Sequence, residues 1–213
     1  MPQSFIPTLD GILAVMSQRG YRVYRNLEKP FDINIVGIRS NSLIPYTFDD
    51  WIAVFYMMHR QWILNLFPAT TDPGLFYLGA PINPLGTAIL KEGQYPGMFE
   101  LGLHRRYKAL VQKKPVTVIR DYNRDNRLDL SSGVEDTGIF GINLHRASQF
   151  RASINVDKWS AGCQVVCDPF QFQQLLDICD RGASIFGNSF TYTLLHERDF
   201  VVSTNVPTAT LTI

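Results

Sequence analysis

The chain has 213 residues, of which 46% are hydrophobic and 18% are charged, and its formal net charge is +1. This length and composition favour one globular domain over a disordered chain. A nearly neutral chain argues against a surface dedicated to nucleic acid, and no stretch approaches the ~20 apolar residues of a membrane span.

The first forty residues predict a helix followed by a strand. Apolar residues recur at helical spacing between Thr8 and Arg19, and Gly20 is a suitable stop. Residues 31–39 alternate as a strand does. We expect residues 1–40 to form an N-terminal extension packed on a domain of residues 41–213. Residues 1–21 lack the basic start of a signal peptide, so we expect synthesis in the cytoplasm.

The rest of the chain predicts many short strands and one long helix. We expect a hairpin or two adjacent strands from residues 51–59 and 61–67, and strands at 88–91, 97–104, 115–120 and 189–196. Turn residues occupy 68–74 and 93–97, the apolar stripe of 168–182 predicts a helix, and 201–213 is an extra strand or an arm. The pattern predicts a mainly β (α+β) fold, an antiparallel sandwich or barrel with a few packed helices.

A loop after the predicted strand 115–120 has the spacing of a calcium site. Oxygen-bearing side chains stand at positions 1, 3, 5 and 9 of this loop: Asp121, Asn123, Asp125 and Asp129. Ser132 stands where such loops have a bidentate Glu, and a strand rather than a helix precedes the loop. The alternative is a turn whose Asx side chains cap their own backbone. A calcium ion here would have a structural role.

Cys163 and His145 are the candidate reactive pair. A thiol becomes a strong nucleophile when a base takes its proton, and imidazole titrates in the range that this requires. Gly162 lets the chain turn and leave backbone N–H groups facing an oxyanion. Three cysteines do not suit a disulfide framework, and Cys163 with Cys167 lacks the second pair of a zinc site.

His145, followed eighteen residues later by Cys163 in the sequence Ser-x-Gly-Cys, resembles the signature of the L,D-transpeptidase catalytic domain, the YkuD family. The resemblance implies a YkuD-like β fold, Cys163 as nucleophile and His145 as its base, with no cofactor required for catalysis. It also implies that the carbonyl of Arg146 orients the imidazole, and that N–H groups around Gly162 and Cys163 hold the oxyanion.

Five further residues are candidates for substrate binding. They are Asn143, on the same strand face as His145, Ser160 and Gln164 beside the nucleophile, and Tyr95 and Gly97 in a segment similar to the family's cleft-bordering strand. Asn143 could equally be an ordinary surface residue, and Ser160 could shape the turn. The chain departs from the family pattern where Gln164 and Val165 replace an aliphatic residue and an arginine.

The resemblance implies acyl transfer on the stem peptides of bacterial peptidoglycan, by transpeptidase, carboxypeptidase or endopeptidase chemistry. The site of action would then be the periplasm or cell wall after release or delivery. An alternative is an inactive structural or wall-binding component of a phage-like or contractile particle. A third hypothesis is an assembly component stabilised by calcium, in which Cys163 has no role.

Overall fold

The computed structural model of the chain describes residues 5–204. The helices of this part are α1 (Leu9–Gln18), α2 (Leu75–Gly79), α3 (Pro169–Phe186) and a 3-10 helix (Glu197–Thr204). The strands are β1 (Asn34–Arg39), β2 (Asp50–Met58), β3 (Gln61–Thr70), β4 (Thr87–Leu90), β5 (Gly93–His104), β6 (Tyr107–Gln112), β7 (Val116–Asp121), β8 (Val134–Gly138), β9 (Leu144–Arg146), β10 (Gln164–Val166) and β11 (Phe190–His196). The predicted strand or arm of residues 201–213 begins within the 3-10 helix, and its part from residue 205 onwards lies outside the described residues.

Eight strands close into a barrel in the order β1-β11-β5-β6-β9-β10-β3-β2, and β4, β7 and β8 form a separate three-stranded sheet. The predicted mainly β fold with a few packed helices is confirmed. Most neighbouring strands are antiparallel, as predicted, but β1 with β11 and β9 with β10 are parallel. The second parallel pair places His145, on β9, near Cys163, the residue that precedes β10.

The predicted hairpin of β2 and β3 is confirmed, and it turns at two residues with positive φ. His59 has a φ of 51° and Arg60 a φ of 64°, and Met58 pairs with Gln61 across the turn. A two-residue turn of this kind matches the right-handed twist of the flanking strands. The pairing continues to Asp50 opposite Ala69, which makes this hairpin one wall of the barrel.

The N-terminal helix is confirmed, but the boundary near residue 40 does not separate an extension from the barrel. The Thr8 hydroxyl accepts a hydrogen bond from the Gly11 N–H and caps α1. The helix packs on the outside of the barrel through Ile12, Val15 and Met16. Strand β1, by contrast, pairs with both β2 and β11, so it is an integral strand of the barrel.

Three of the predicted bounds are wrong, each because tertiary packing uses a residue that usually ends an element. Residues 93–97 are strand rather than turn, since Gly97, with a φ of 65°, lies where the β5–β11 register shifts. Pro68 to Thr70 belong to β3. Helix α3 passes Gly182, where a Cβ would lie 2.4 Å from Ile33 Cδ1, and it is capped by Gly187.

No helix within residues 5–204 combines the length and the apolarity needed to cross a membrane.

The small sheet of β4, β7 and β8 supports the turn that carries Cys163. A Cβ on Gly162 would lie 2.3 Å from the carbonyl oxygen of Ala88, a residue of β4. The turn and the sheet are therefore in direct backbone contact.

Candidate functional site

The parallel strands β9 and β10 bring His145 and Cys163 to one face of the barrel wall. Val165 pairs with His145, and the Gln164 N–H donates to the Asn143 carbonyl at 2.8 Å, so Cys163 lies beside Asn143. Leu144 and Val166 point into the barrel core, and side chains alternate along a strand. Asn143, His145 and Cys163 therefore share the outer face.

His145 is buried, with 4% of its surface exposed, and its ring is held at one nitrogen. Nδ1 lies 2.8 Å from the carbonyl oxygen of Arg146, the contact that the resemblance implies. Because a carbonyl only accepts, Nδ1 carries the proton and Nε2 keeps its lone pair. The Tyr107 hydroxyl donates to the same carbonyl at 3.4 Å, and the Arg146 guanidinium lies over the Tyr107 ring. The carbonyl that orients His145 is thus itself held in place.

Cys163 is a free, partly buried thiol. Its Sγ accepts the Asn143 N–H at 3.5 Å and donates to the Gly141 carbonyl at 3.4 Å. Among the described residues, no hydrogen bond joins Sγ to the His145 ring. Two steps along β9 and one step across to β10 separate the two Cα atoms by roughly 8 Å, which side-chain rotation can bridge. Such contacts are often long before substrate binds.

Ser160 and Gly162 shape the turn that presents Cys163. Ser160 is fully buried, its Oγ donates to the Cys163 carbonyl at 2.7 Å, and it accepts the Gly162 N–H at 3.1 Å. Gly162 has a φ of 123°, which side chains rarely adopt. The Gly162 N–H is therefore already engaged, whereas the Cys163 N–H has no acceptor among residues 5–204. Of the two backbone N–H groups predicted to bind an oxyanion, only that of Cys163 is therefore available within the described residues.

A second histidine, His104 at the end of β5, stacks on His145. The ring centroids lie 4.3 Å apart and the rings are within 9° of parallel. Asn143 fixes the orientation of His104, since Asn143 Oδ1 accepts the Gln112 N–H at 2.8 Å, which leaves Nδ2 to donate to His104 Nδ1 at 3.0 Å. Asn143 thus links Cys163, His104 and β6 and is no ordinary surface residue. The sequence placed His104 at a strand end but offered no signal for this contact.

Burial keeps both members of the candidate pair neutral. It lowers the pKa of His145 to about 4; the Arg146 carbonyl acts in the opposite direction, and the neighbouring His104 and the charges of Arg105 and Arg146 act with burial. Burial also raises the pKa of the Cys163 thiol, while the Asn143 N–H and the Arg105 charge act in the other direction. The resting site is therefore a thiol beside a neutral imidazole rather than an ion pair.

Gln164 lies inside the barrel, not in a cleft. It is fully buried, its Oε1 accepts the Tyr192 hydroxyl at 2.5 Å, and its Nε2 donates to the Thr71 carbonyl at 3.3 Å. Tyr95 donates its hydroxyl to the Lys91 carbonyl, and the Gly97 N–H donates to Thr191. Gln164 Nε2 also donates to the Gly162 carbonyl at 3.4 Å, so Gln164 supports the Cys163 turn from inside the barrel. The hydrogen bonds of Tyr95 and Gly97 do not reach Cys163 or His145, so the structure does not bring these two residues to the candidate site.

A cavity of about 360 Å³ opens beside the Cys163 turn. Its wall includes Ala161, two residues before Cys163, and Phe140, next to the Gly141 carbonyl that contacts Sγ. The other lining residues come from α2, the loop before β4, β4, β7 and the segment after β8: Tyr77, Ile82, Asn83, Gly86, Thr87, Ala88, Arg120 and Ile139. Substrate pockets commonly have this size and this mixture of apolar and polar walls.

The predicted calcium loop is folded on its own side chains. Asn123 Nδ2 donates to Asp129 Oδ2 at 2.9 Å, the Arg127 N–H donates to Asp125 Oδ1, and the Asp129 N–H donates to Asp121 Oδ2. Within residues 5–204, no three His, Cys, Asp or Glu side chains form a group that could hold a metal ion. Asp121 Oδ1, however, is buried and has no hydrogen-bond partner. A calcium ion at this loop stays a prediction.

Comparison with protein-family models, curated proteins and solved structures gives no significant match.

Proposed function

We propose that this chain is a cysteine-dependent acyl-transfer enzyme of L,D-transpeptidase type that acts on peptidoglycan stem peptides. The observation that carries the proposal is the placement of Cys163 and His145 on one face of two parallel strands, with His145 Nδ1 bound to the Arg146 carbonyl. This leaves Nε2 as the nitrogen that can accept a proton from a thiol. The substrate class comes from the resemblance of the His145 and Ser-x-Gly-Cys signature.

The chemistry follows from a neutral thiol and a neutral imidazole. Cys163 Sγ bonds to the substrate carbonyl carbon while its proton passes to His145 Nε2. The Cys163 N–H, free in the resting site, donates to the oxyanion; one such donor contributes about 3 kcal/mol to lowering the barrier. His145 then gives the proton to the leaving amine, and the C–N bond breaks to leave a thioester. An acceptor amine or water attacks the thioester, loses its proton to His145 and releases the thiol.

The first test compares alkylation of the three thiols by iodoacetamide, followed by peptide mass spectrometry. Cys167 is the internal control, because it is also partly buried and burial raises its pKa to about 11. We expect Cys163 to react at least about tenfold faster than Cys167 at pH 7.5, since His145 can take its proton. His145→Ala should remove that difference without changing Cys167.

Turnover is tested on a disaccharide tetrapeptide from peptidoglycan. The wild type should form a thioester visible as a mass increase of the intact protein, and Cys163→Ser should not. Equal alkylation of Cys163 and Cys167, unaffected by His145→Ala, would instead favour the alternative of an inactive structural or wall-binding component. The absence of a resting hydrogen bond between the two side chains is the observation that favours this second candidate.

A further inference from the structure

The cavity beside the Cys163 turn contains one charged side chain. Among its described lining residues only Arg120 carries a charge, and the others are apolar or bear neutral polar groups. Two of its lining residues adjoin the Cys163 turn: Ala161 lies two residues before Cys163, and Phe140 precedes Gly141, whose carbonyl accepts from Sγ. Arg120 also pairs with Ala88, whose carbonyl oxygen contacts Gly162, so a group bound beside Arg120 would lie next to the turn that carries Cys163.

The Arg120 guanidinium, on β7, is held by hydrogen bonds but keeps unused N–H donors. Its side chain is 7% exposed, and Nε and Nη2 both donate to Asp136 Oδ2, at 3.1 and 2.8 Å. Nη1 donates to the Gly86 carbonyl at 3.3 Å, and the guanidinium lies 4.8 Å from the centre of the Phe140 ring. A guanidinium has five N–H donors, so two remain, one each on Nη1 and Nη2. Two N–H groups on adjacent nitrogens suit the two oxygens of a carboxylate.

We propose that Arg120 binds a carboxylate of the acyl donor, so that the site selects peptides with a free carboxylate near the scissile bond. This inference rests on the proposed acyl transfer at Cys163. It also accounts for the residue after Gln164: Val165 pairs with His145 and packs in an apolar cluster, and an arginine there would add a further cation to Arg105 and Arg146, which already act on the buried imidazole. In this chain the cation comes from β7, on the cavity side of the nucleophile.

The test measures how well two ligands protect Cys163 from alkylation by iodoacetamide. One ligand is N-acetyl-L-alanyl-D-alanine with its free carboxylate, and the other is the C-terminal amide of the same dipeptide. On the wild type we expect the acid to protect at a concentration at least about tenfold lower, the usual gain of a charge-assisted hydrogen bond. Arg120→Gln should abolish this preference.

Two variants serve as matched controls. Arg105→Gln removes a cation that acts on Cys163 but does not line the cavity, and it should keep the preference. Asp136→Asn removes the carboxylate partner of Arg120 and should keep or increase the preference. Each variant is first checked by its melting temperature. The acid-to-amide comparison on the wild type remains decisive if Arg120→Gln fails to fold.

The inference is overturned if acid and amide protect wild-type Cys163 equally, or if Arg105→Gln removes the preference as fully as Arg120→Gln. That outcome leaves the proposed acyl transfer standing, provided that alkylation of Cys163 still depends on His145. If alkylation does not depend on His145, the proposed function itself fails. The two failures are thus separated by a measurement made without any ligand.

Discussion

Acidification should destabilise the fold through His145, and this effect measures the neutrality of the proposed base without any substrate. Burial lowers the pKa of His145 to about 4 in the folded chain, against 6.5 for an exposed histidine. Between these values the unfolded chain binds a proton that the folded chain does not. Stability is therefore complete above pH 6.5 and falls as the pH drops towards 4.

The magnitude follows from the pKa difference. Each pH unit in this window costs about 1.4 kcal/mol for one such group, so a drop from pH 7 to pH 5 should remove about 2 kcal/mol. His196 should contribute a similar amount, because burial lowers its pKa to about 4 as well. Asp72, whose pKa burial raises to about 7, acts in the opposite direction but is present in every variant compared.

The assay is urea unfolding followed by tryptophan fluorescence at pH 7 and pH 5, on the wild type and on His145→Asn. Asparagine keeps an N–H donor for the Arg146 carbonyl but does not titrate. The loss of unfolding free energy between the two pH values should be about 2 kcal/mol smaller in the variant than in the wild type. His196→Asn should give a comparable reduction. An equal loss in wild type and His145→Asn would refute the buried neutral imidazole.

Three further predictions concern the surroundings of the site. A Cβ on Gly162 would lie 2.3 Å from a backbone carbonyl oxygen of β4, so Gly162→Ala should lower the free energy of unfolding by at least about 2 kcal/mol and abolish the fast alkylation of Cys163. Gly187 also has a positive φ but open space around it, so Gly187→Ala should leave the alkylation rate unchanged. His104→Phe keeps a ring stacked on His145 but loses the hydrogen bond from the Asn143 amide, so alkylation of Cys163 should slow about fivefold. An unchanged rate would argue against a positioning role for His104. Saturating calcium should raise the melting temperature by about 5 °C or more if the predicted loop binds it, and Asp125→Asn should remove the rise; no rise, or one that magnesium reproduces, would contradict the prediction.

The sequence predicted those elements whose signals are local. Helix α1 follows its Thr8 cap and its apolar spacing, and the β2–β3 hairpin follows two aromatic runs separated by a two-residue turn. The wrong helix and strand bounds came from glycine and proline residues that usually end an element but here lie within one and serve its packing. Gly182 lets α3 approach Ile33, and the Pro-Gly pair at 96–97 lies within β5 at a shift of register. Neither use is visible without the neighbouring strand.

The residues of the candidate site also divide into those that the local sequence predicts and those that only the fold brings in. His145 and Cys163 stand eighteen residues apart, and a short motif carries them, so the sequence could find both. His104 reaches His145 only because β6 and β9 are neighbours in the barrel, which no local pattern encodes. Arg120 reaches the cavity only because β4 and β7 pair beneath the Cys163 turn. Contacts of this kind depend on which strands are neighbours in the sheets, and the local sequence does not encode that order.

The departure from the family pattern at Gln164 and Val165 has a structural explanation. Gln164 points into the barrel, where its amide joins the Tyr192 hydroxyl of β11 to the Thr71 carbonyl at the end of β3. A buried amide with both ends hydrogen-bonded fixes the short strand β10, which has only three residues. Val165 points outward and pairs with His145, so it keeps the surroundings of the imidazole apolar. Gln164 and Val165 therefore hold the strand after Cys163 in register and keep the surroundings of His145 apolar.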